Sequence, residues 1–148
     1  MLNLICFEVN NILWATGLAW VREVVRPLSM DPLPVSADYI RGMINVRGEV
    51  IPVFDGRALL VTSPTENDIL DIRSRVLLFQ TDEEIIGFGV DAVRGVVNIN
   101  PDDAKAIASI DGIHKVFAGG VFSMDNTPVI LLDAEKLIAF FRKNRRKS

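Results

Sequence analysis

The sequence predicts an all-β protein that closes with one short helix. Three observations support this fold class: about ten short runs rich in β-branched residues, turn residues between those runs, and a repeat that relates the two halves of the chain. A chain of 148 residues can bury a sizeable core without a metal or a disulfide. We therefore expect two strand-rich units that bury an apolar face against each other.

The predicted strands follow one another closely, and turn-forming residues separate them. Asn10-Asn11 and Arg47-Gly48 are typical of tight turns between paired strands. The strands are predicted at residues 2–9, 12–15, 21–27, 42–48, 49–55, 75–81, 85–91, 94–99, 115–122 and 128–133. Two stretches lack the strand pattern. The three prolines between residues 27 and 38 indicate an extended loop, and the polar residues 62–75 predict a mobile surface loop.

The end of the chain is predicted to be helical. Asp133 is a suitable N-cap, and the apolar residues between 135 and 141 fall on neighbouring turns of a helix that covers about 133–143. A basic tail, residues 142–148, follows. Two interpretations of this tail remain open: a solvated end that complements the helix dipole, or a contact with an acidic partner or an anionic surface.

An internal repeat divides the chain near its middle. An offset of 72 residues aligns the first three predicted strands with later ones, and an offset of 78 aligns the next two. The aligned pairs include Phe7/Phe79, Val21/Val93, Gly42/Gly120 and Asp55/Asp133. Each unit has a marginal core on its own. A groove between two such units is a natural place for docking.

The composition argues against several classes of function. The net charge is −3, which does not favour nucleic acid as a partner. Cys6 and His114 are single residues of their kind, and no nucleophile, phosphate-loop or zinc motif accompanies them. We expect Cys6 to be a buried small residue and His114 to lie in a surface loop. Glu8 interrupts the apolar N-terminus, so we expect no membrane insertion. The single cysteine indicates a cytoplasmic protein. Because motifs for catalysis and metal binding are missing, we expect no catalytic residues, no metal and no cofactor.

One segment carries a family resemblance. Residues 39–57, YIRGMINVRGEVIPVFDGR, resemble the corresponding stretch of CheW-type chemotaxis coupling proteins, and so do residues 21–25, 86–97 and 121–138 in order. The resemblance implies one domain over residues 1–148 that consists of two intertwined, SH3-like, five-stranded β-barrel subdomains around a shared hydrophobic core. Gly56 departs from the family, which usually has Leu there, and this implies a looser turn.

The resemblance also implies a function. Family members are non-enzymatic adaptors that couple chemoreceptors, the methyl-accepting chemotaxis proteins, to a CheA-type histidine kinase. The implied contacts are with the regulatory domain of the kinase and with the cytoplasmic tip of the receptor. The implied kinase-binding residues are Val21, Glu23, Val24 and Gly42. The implied receptor-binding residues are Asn45, Arg47, Val90, Val93 and Val97.

Arg47 is the most specific of these residues. Its planar head suits a carboxylate, and we expect it to pair with Glu23 and to frame the docking surface; the alternative is a solvated turn arginine. Two other functions remain open. The first is an adaptor of another sensory array, such as one for pilus or gliding motility. The second is a small-ligand binder or an enzyme on a double barrel.

Overall fold

Ten strands and two helices make up the fold in a computed structural model, which describes residues 1–27, 30–31, 39–62, 72–107 and 110–145. The strands are β1 (Leu2–Val9), β2 (Ile12–Gly17), β3 (Val21–Val25), β4 (Ile40–Val46), β5 (Glu49–Asp55), β6 (Arg75–Gln80), β7 (Ile85–Val90), β8 (Ala92–Ile99), β9 (Ala118–Met124) and β10 (Thr127–Leu132). The helices are α1 (Gly56–Leu60) and α2 (Ala134–Arg145). All ten predicted strands and the C-terminal helix are therefore confirmed.

The differences from the predicted elements are local. Lys115–Phe117 forms a turn of 3-10 helix, so the ninth strand begins at Ala118 rather than at 115. The two predicted loops, 27–38 and 62–75, fall largely outside the described residues. Among the described residues, none of the helices has both the length and the apolar character needed to span a membrane.

The strands form two five-stranded sheets that exchange strands between the halves of the chain. The first sheet has the order β8-β1-β2-β10-β9, and the second has the order β3-β6-β7-β5-β4. Each sheet thus combines two strands from one half with three from the other. Both contain one parallel pair, β2 with β10 and β5 with β7. Neither half of the chain supplies a complete sheet.

The pairing register is the same in both sheets. The offsets of 72 and 78 residues that align the sequence also align the backbone partners. The equivalent pairs are Phe7↔Val93 with Val21↔Phe79, and Gly120↔Leu131 with Gly42↔Val53. Because a slip of one residue would turn every side chain to the opposite face, identical register gives the two sheets the same buried faces.

A shared apolar core lies between the two sheets, and each sheet also has a small core of its own. Phe54, Phe88 and Phe141 are at most 1 % exposed in the shared core, where the ring centroids of Phe54 and Phe141 lie 4.2 Å apart. The small cores contain residues related by the two offsets. They are Leu4, Cys6, Phe122 and Val129 in the first sheet, and Val76, Leu78, Ile44 and Ile51 in the second. The expected burial of Cys6 is confirmed.

Helix α1 is an element that the strand pattern did not predict. Asp55 caps it, because its Oδ1 accepts a hydrogen bond of 2.9 Å from the backbone N of Arg57. A Cβ added to Gly56 would lie 2.4 Å from the carbonyl oxygen of Gly89. The looser turn expected at Gly56 is therefore wrong, since glycine instead allows α1 to contact β7 closely.

Asp91 joins the two sheets near α1. Its Oδ1 accepts a 2.9 Å hydrogen bond from Nε of Arg57, and its Oδ2 accepts one of 2.6 Å from the backbone N of Asn10. The side chains of Arg57 and Asp91 are 20 % and 22 % exposed, so this ion pair is partly shielded from water. The two hydrogen bonds of Asp91 hold the β1–β2 turn of the first sheet against α1 and against the β7–β8 connection.

Candidate docking surface on the second sheet

Strand β3 is an edge strand of the second sheet and carries three of the predicted site residues. Val21, Glu23 and Val25 are half-buried, whereas Arg22 and Val24 point to solvent. Val24 is 37 % exposed. An edge strand with an exposed valine offers both backbone groups and apolar area to a partner. The alternation of faces predicted along β3 is wrong at its start, because the register shift between Val21 and Glu23 pairs Val21 with Phe79 of the shared core and Glu23 with Leu78 of the small core.

The β4–β5 turn faces this strand. Arg47 and Gly48 both have positive φ, of 49° and 85°, as a two-residue hairpin turn requires. The side-chain Oδ1 of Asn45 accepts a 2.9 Å hydrogen bond from the backbone N of Gly48, which fixes the turn from within. The turn therefore presents Arg47 in a defined direction.

Arg47 and Glu23 form the predicted ion pair. Nη2 of Arg47 donates a hydrogen bond to Oε2 of Glu23, and the two side chains are 65 % and 26 % exposed. This bond, together with the charges of Arg47 and Arg22, holds the pKa of the Glu23 carboxyl below its ordinary value despite some desolvation. Because β3 and β4 are the two edges of the second sheet, the pair joins those edges by side chains. The expected pairing is confirmed.

An apolar floor lies directly beneath the ion pair. A cavity of about 100 Å³ is bounded by the paired side chains and by Ile51 and Leu78 of the small core. Val50, the cross-strand partner of Asn45, is 61 % exposed beside the turn. Val50 is not among the predicted site residues, although its place one residue from the buried Ile51 indicates an outward side chain. Charged side chains and apolar side chains thus lie next to each other at the β4–β5 turn.

The remaining predicted site residues lie in different surroundings. Gly42 is buried, and a Cβ there would lie 2.5 Å from the carbonyl oxygen of Asp31. Val90 is only 5 % exposed in the shared core, which corrects its expected role: its side chain does not reach a partner. Val93 and Val97 are half-buried on β8, the edge of the first sheet. The structure therefore brings Glu23, Arg47 and Asn45 together, while the β8 valines lie on the other sheet.

The described side chains of this surface are those of a contact surface between proteins. Within the described parts of the chain, no three His, Cys, Asp or Glu side chains come together as metal ligands would. The surface offers strand edges, exposed valines and one ordered ion pair, which are features of protein interfaces. Fold and surface together define a double-barrel docking module.

Comparison with known proteins identifies the family. The chain belongs to the CheW-like domain family, which it matches over residues 3–141. It is 27 % identical over 136 residues to the chemotaxis protein CheW of Thermotoga maritima, with 92 % of this chain and 87 % of that protein covered. It is 26 % identical over 138 residues to a probable chemotaxis protein CheW of Rhizobium etli, with 93 % and 87 % covered.

The fold agrees with that of a solved relative. The crystal structure of the scaffolding protein TtCheW from Thermoanaerobacter tengcongensis superposes with a TM-score of 0.77 at 24 % identity, and 88 % of each chain is covered. The family is one of chemotaxis coupling adaptors, which link chemoreceptors with CheA-type kinases, and the chain is an adaptor of this kind. The function expected from the resemblance is confirmed at this level.

Proposed function

We propose that this protein couples the cytoplasmic tip of a chemoreceptor to the regulatory domain of a CheA-type histidine kinase, in the cytoplasm and without chemistry of its own. The observation that carries the proposal is the ordered Arg47–Glu23 pair beside two exposed valines, Val24 and Val50. A planar guanidinium and a carboxylate fixed over an apolar floor recognise a partner by both charge and shape.

Within this proposal, β3 meets the kinase. Val21, Glu23 and Val24 contribute the contacts, and the buried Gly42 contributes by letting β4 approach the backbone of Asp31. An edge strand can extend its sheet into a partner barrel, and the exposed Val24 side chain adds apolar area. The strand thus combines hydrogen-bonding capacity with an apolar anchor.

The receptor contacts are Asn45 and Arg47 at the turn, together with Val93 and Val97 on β8. Asn45 and Arg47 are exposed and fixed by the turn, and the β8 valines are half-buried. Val93 packs towards the shared core and Val97 towards the small core of the first sheet, so a receptor helix that lies along the β8 edge contacts the rims of both side chains. Val90 is left out because it lies in the core.

The proposal is tested by reconstitution of variants of this protein with receptor-bearing nanodiscs and the kinase, and by titration of the same variants against the isolated kinase regulatory domain. Val24→Asp places a carboxylate on β3, and we expect roughly a tenfold or greater loss of affinity for the isolated kinase regulatory domain, because that charge must be desolvated on docking. Val96→Asp is the matched control, since Val96 is the residue equivalent to Val24 in the first sheet, is 55 % exposed and lies outside this surface. Equal effects of both variants, or unchanged kinase binding by Val24→Asp, would refute the assignment.

A further inference from the structure

A groove along helix α2 forms a second surface that the coupling role does not use. It has a volume of about 710 Å³ and lies between α2, α1 and the segment that contains His114 and Val116. None of the residues assigned above to kinase or receptor lines it. Its volume lies in the range of ligand-binding clefts and accommodates several large side chains of a partner.

The floor of this α2 groove is apolar and well supported. Leu59 and Phe117 are 6 % and 5 % exposed, so they form a fixed base. The Phe140 ring lies 5.2 Å from the ring of Tyr39 and 5.6 Å from that of Phe117, both edge-to-face. Val116, 60 % exposed, stands at the opposite wall. An exposed valine beside packed aromatic rings is apolar area that a partner can cover.

The rim of the α2 groove is basic. Lys136 and Lys143 are exposed on the same face of α2, one on each side of Phe140, and the exposed His114 faces them. No acidic side chain is among the described residues that line the groove. The chain as a whole carries a net charge of −3, so this local excess of positive charge runs against its overall balance. Its field favours a partner with acidic groups.

We propose that the α2 groove binds an amphipathic helix of a partner protein, with large apolar side chains on one stripe and carboxylates on its flanks. The apolar stripe covers Val116 and Phe140, and the carboxylates meet Lys136 and Lys143. A concave groove with one deep apolar floor selects side chains at i, i+4 spacing. A flat lipid surface cannot fill such a concavity, so a helix is the better fit.

The test uses two synthetic 14-residue helical peptides that share a leucine stripe at i, i+4 and i+7. One carries glutamates on its flanks and the other carries lysines. Fluorescence anisotropy measures their affinity for the full chain, and backbone amide shifts locate the bound peptide. We expect the glutamate peptide to bind roughly tenfold tighter than the lysine peptide and to shift amides of residues 114–117 and 136–143.

Three variants make the test specific to the groove. Lys136→Glu with Lys143→Glu should reverse the preference between the peptides, and Val116→Ser should weaken binding of both. Lys105→Glu is the matched control, because Lys105 is exposed and lines a different groove; we expect it to change affinity less than about twofold. An equally large effect of the control, equal affinities for both peptides, or no binding of either would overturn the proposal.

Two other occupants would also overturn it. Vesicles of anionic lipid that bind the chain through Lys136 and Lys143, in place of the peptide, would identify a lipid surface. Self-association that Val116→Ser abolishes, measured by sedimentation, would identify a contact between two copies of the chain. Both measurements use the same variants as the peptide titrations.

Discussion

Arg22 and Arg94 occupy equivalent positions in the two halves of the molecule, and each is the extra residue of a β-bulge. The β3 register shifts between Val21 and Glu23, and the β8 register shifts opposite the Cys6–Phe7 step. A bulge leaves one residue without a cross-strand partner and bends its strand. The repeat has therefore kept this backbone irregularity at both sheet edges.

The charges around the two bulges differ. Arg94 lies 2.8 Å from Glu8, whereas Arg22 approaches Glu49 only to 4.0 Å. The position equivalent to Glu23 is Gly95, so the ion pair with Arg47 has no counterpart in the first sheet. The Arg47–Glu23 pair thus distinguishes one sheet edge from the other, which a partner can use to choose between two similar barrels.

Loss of the Arg47 guanidinium should weaken assembly and leave the fold intact. Arg47→Ala opens no core cavity, because the side chain is 65 % exposed, so we expect only a small fall in the unfolding midpoint from the loss of the ion pair. At a desolvated interface the same truncation leaves a partner charge unpaired, and we expect roughly a thirtyfold loss of affinity. Glu23→Ala should behave similarly. Titration of both single variants and the double variant against kinase domain and receptor tip measures the coupling.

The thermal melts supply the control for this cycle. A large fall in melting temperature together with lost binding would make Arg47 a structural residue. Additive losses in the double variant would show that the two side chains act on the partners independently.

The Glu23 carboxyl should titrate below its ordinary pKa only while Arg47 is present. The hydrogen bond and charge of Arg47 favour the ionised carboxylate, so the pKa in the folded protein lies below that of the unfolded chain. The pair therefore contributes fully above the unfolded pKa and is lost as pH falls through the folded value. Carboxyl NMR titration should show the Glu23 pKa moving upward in Arg47→Ala. An identical pKa in both proteins would contradict the pairing in solution.

Gly56→Ala should destabilise the fold. The added Cβ would lie 2.4 Å from the backbone carbonyl oxygen of Gly89, which cannot move without disturbing β7. We expect a loss of about 1–3 kcal/mol in the free energy of unfolding, measured by urea titration. Gly119→Ala is the matched control, because the nearest atoms to its Cβ lie at 3.7 Å, an ordinary contact. Equal stabilities of the two variants would show that α1 is not closely packed on β7.

Phe141→Ala should cost more than any exposed change on α2. Phe141 is 1 % exposed and stacks on Phe54 at 4.2 Å in the core between the sheets. We expect a loss of about 3–5 kcal/mol, because truncation leaves a cavity where both sheets and the helix meet. Lys143→Ala, on an exposed position of the same helix, should stay within about 0.5 kcal/mol. A small loss for Phe141→Ala would mean that α2 is dispensable to the core.

Local patterns were enough to predict the strands, the final helix and the Arg47–Glu23 pair. Short β-branched runs between turn residues determine strands almost by themselves, and Asp133 marks the start of α2 through its 3.1 Å bond from the backbone N of Lys136. The pairing of Arg47 with Glu23 was predictable from the family resemblance, which places the turn that carries Arg47 and the strand that carries Glu23 on one docking surface. These features depend on neighbours in sequence or on a family pattern.

Features that depend on tertiary contacts were not predictable. Gly56 follows Asp55, whose capping bond is a local signal like that of Asp133, but its close approach to a carbonyl of β7, more than thirty residues away, has no local signal. Val90 was placed in a docking groove, yet it fills the core because β7 lies between two other strands of its sheet. Alternation along a strand shows which residues share a face, but not which face is covered.

The exchange of strands between the halves has a consequence for synthesis on the ribosome. Strands β1 and β2 are synthesised well before β8 and β10, which flank the β1–β2 hairpin on either side in the sheet. An emerging N-terminal half can pair β1 with β2, including Phe7 with Trp14, but both outer edges of this hairpin stay unpaired until the later strands have been translated. Such long-range pairing folds slowly and exposes unpaired edges meanwhile. The edges of the β1–β2 hairpin are therefore open to pairing with other chains until β10 (Thr127–Leu132) has been synthesised.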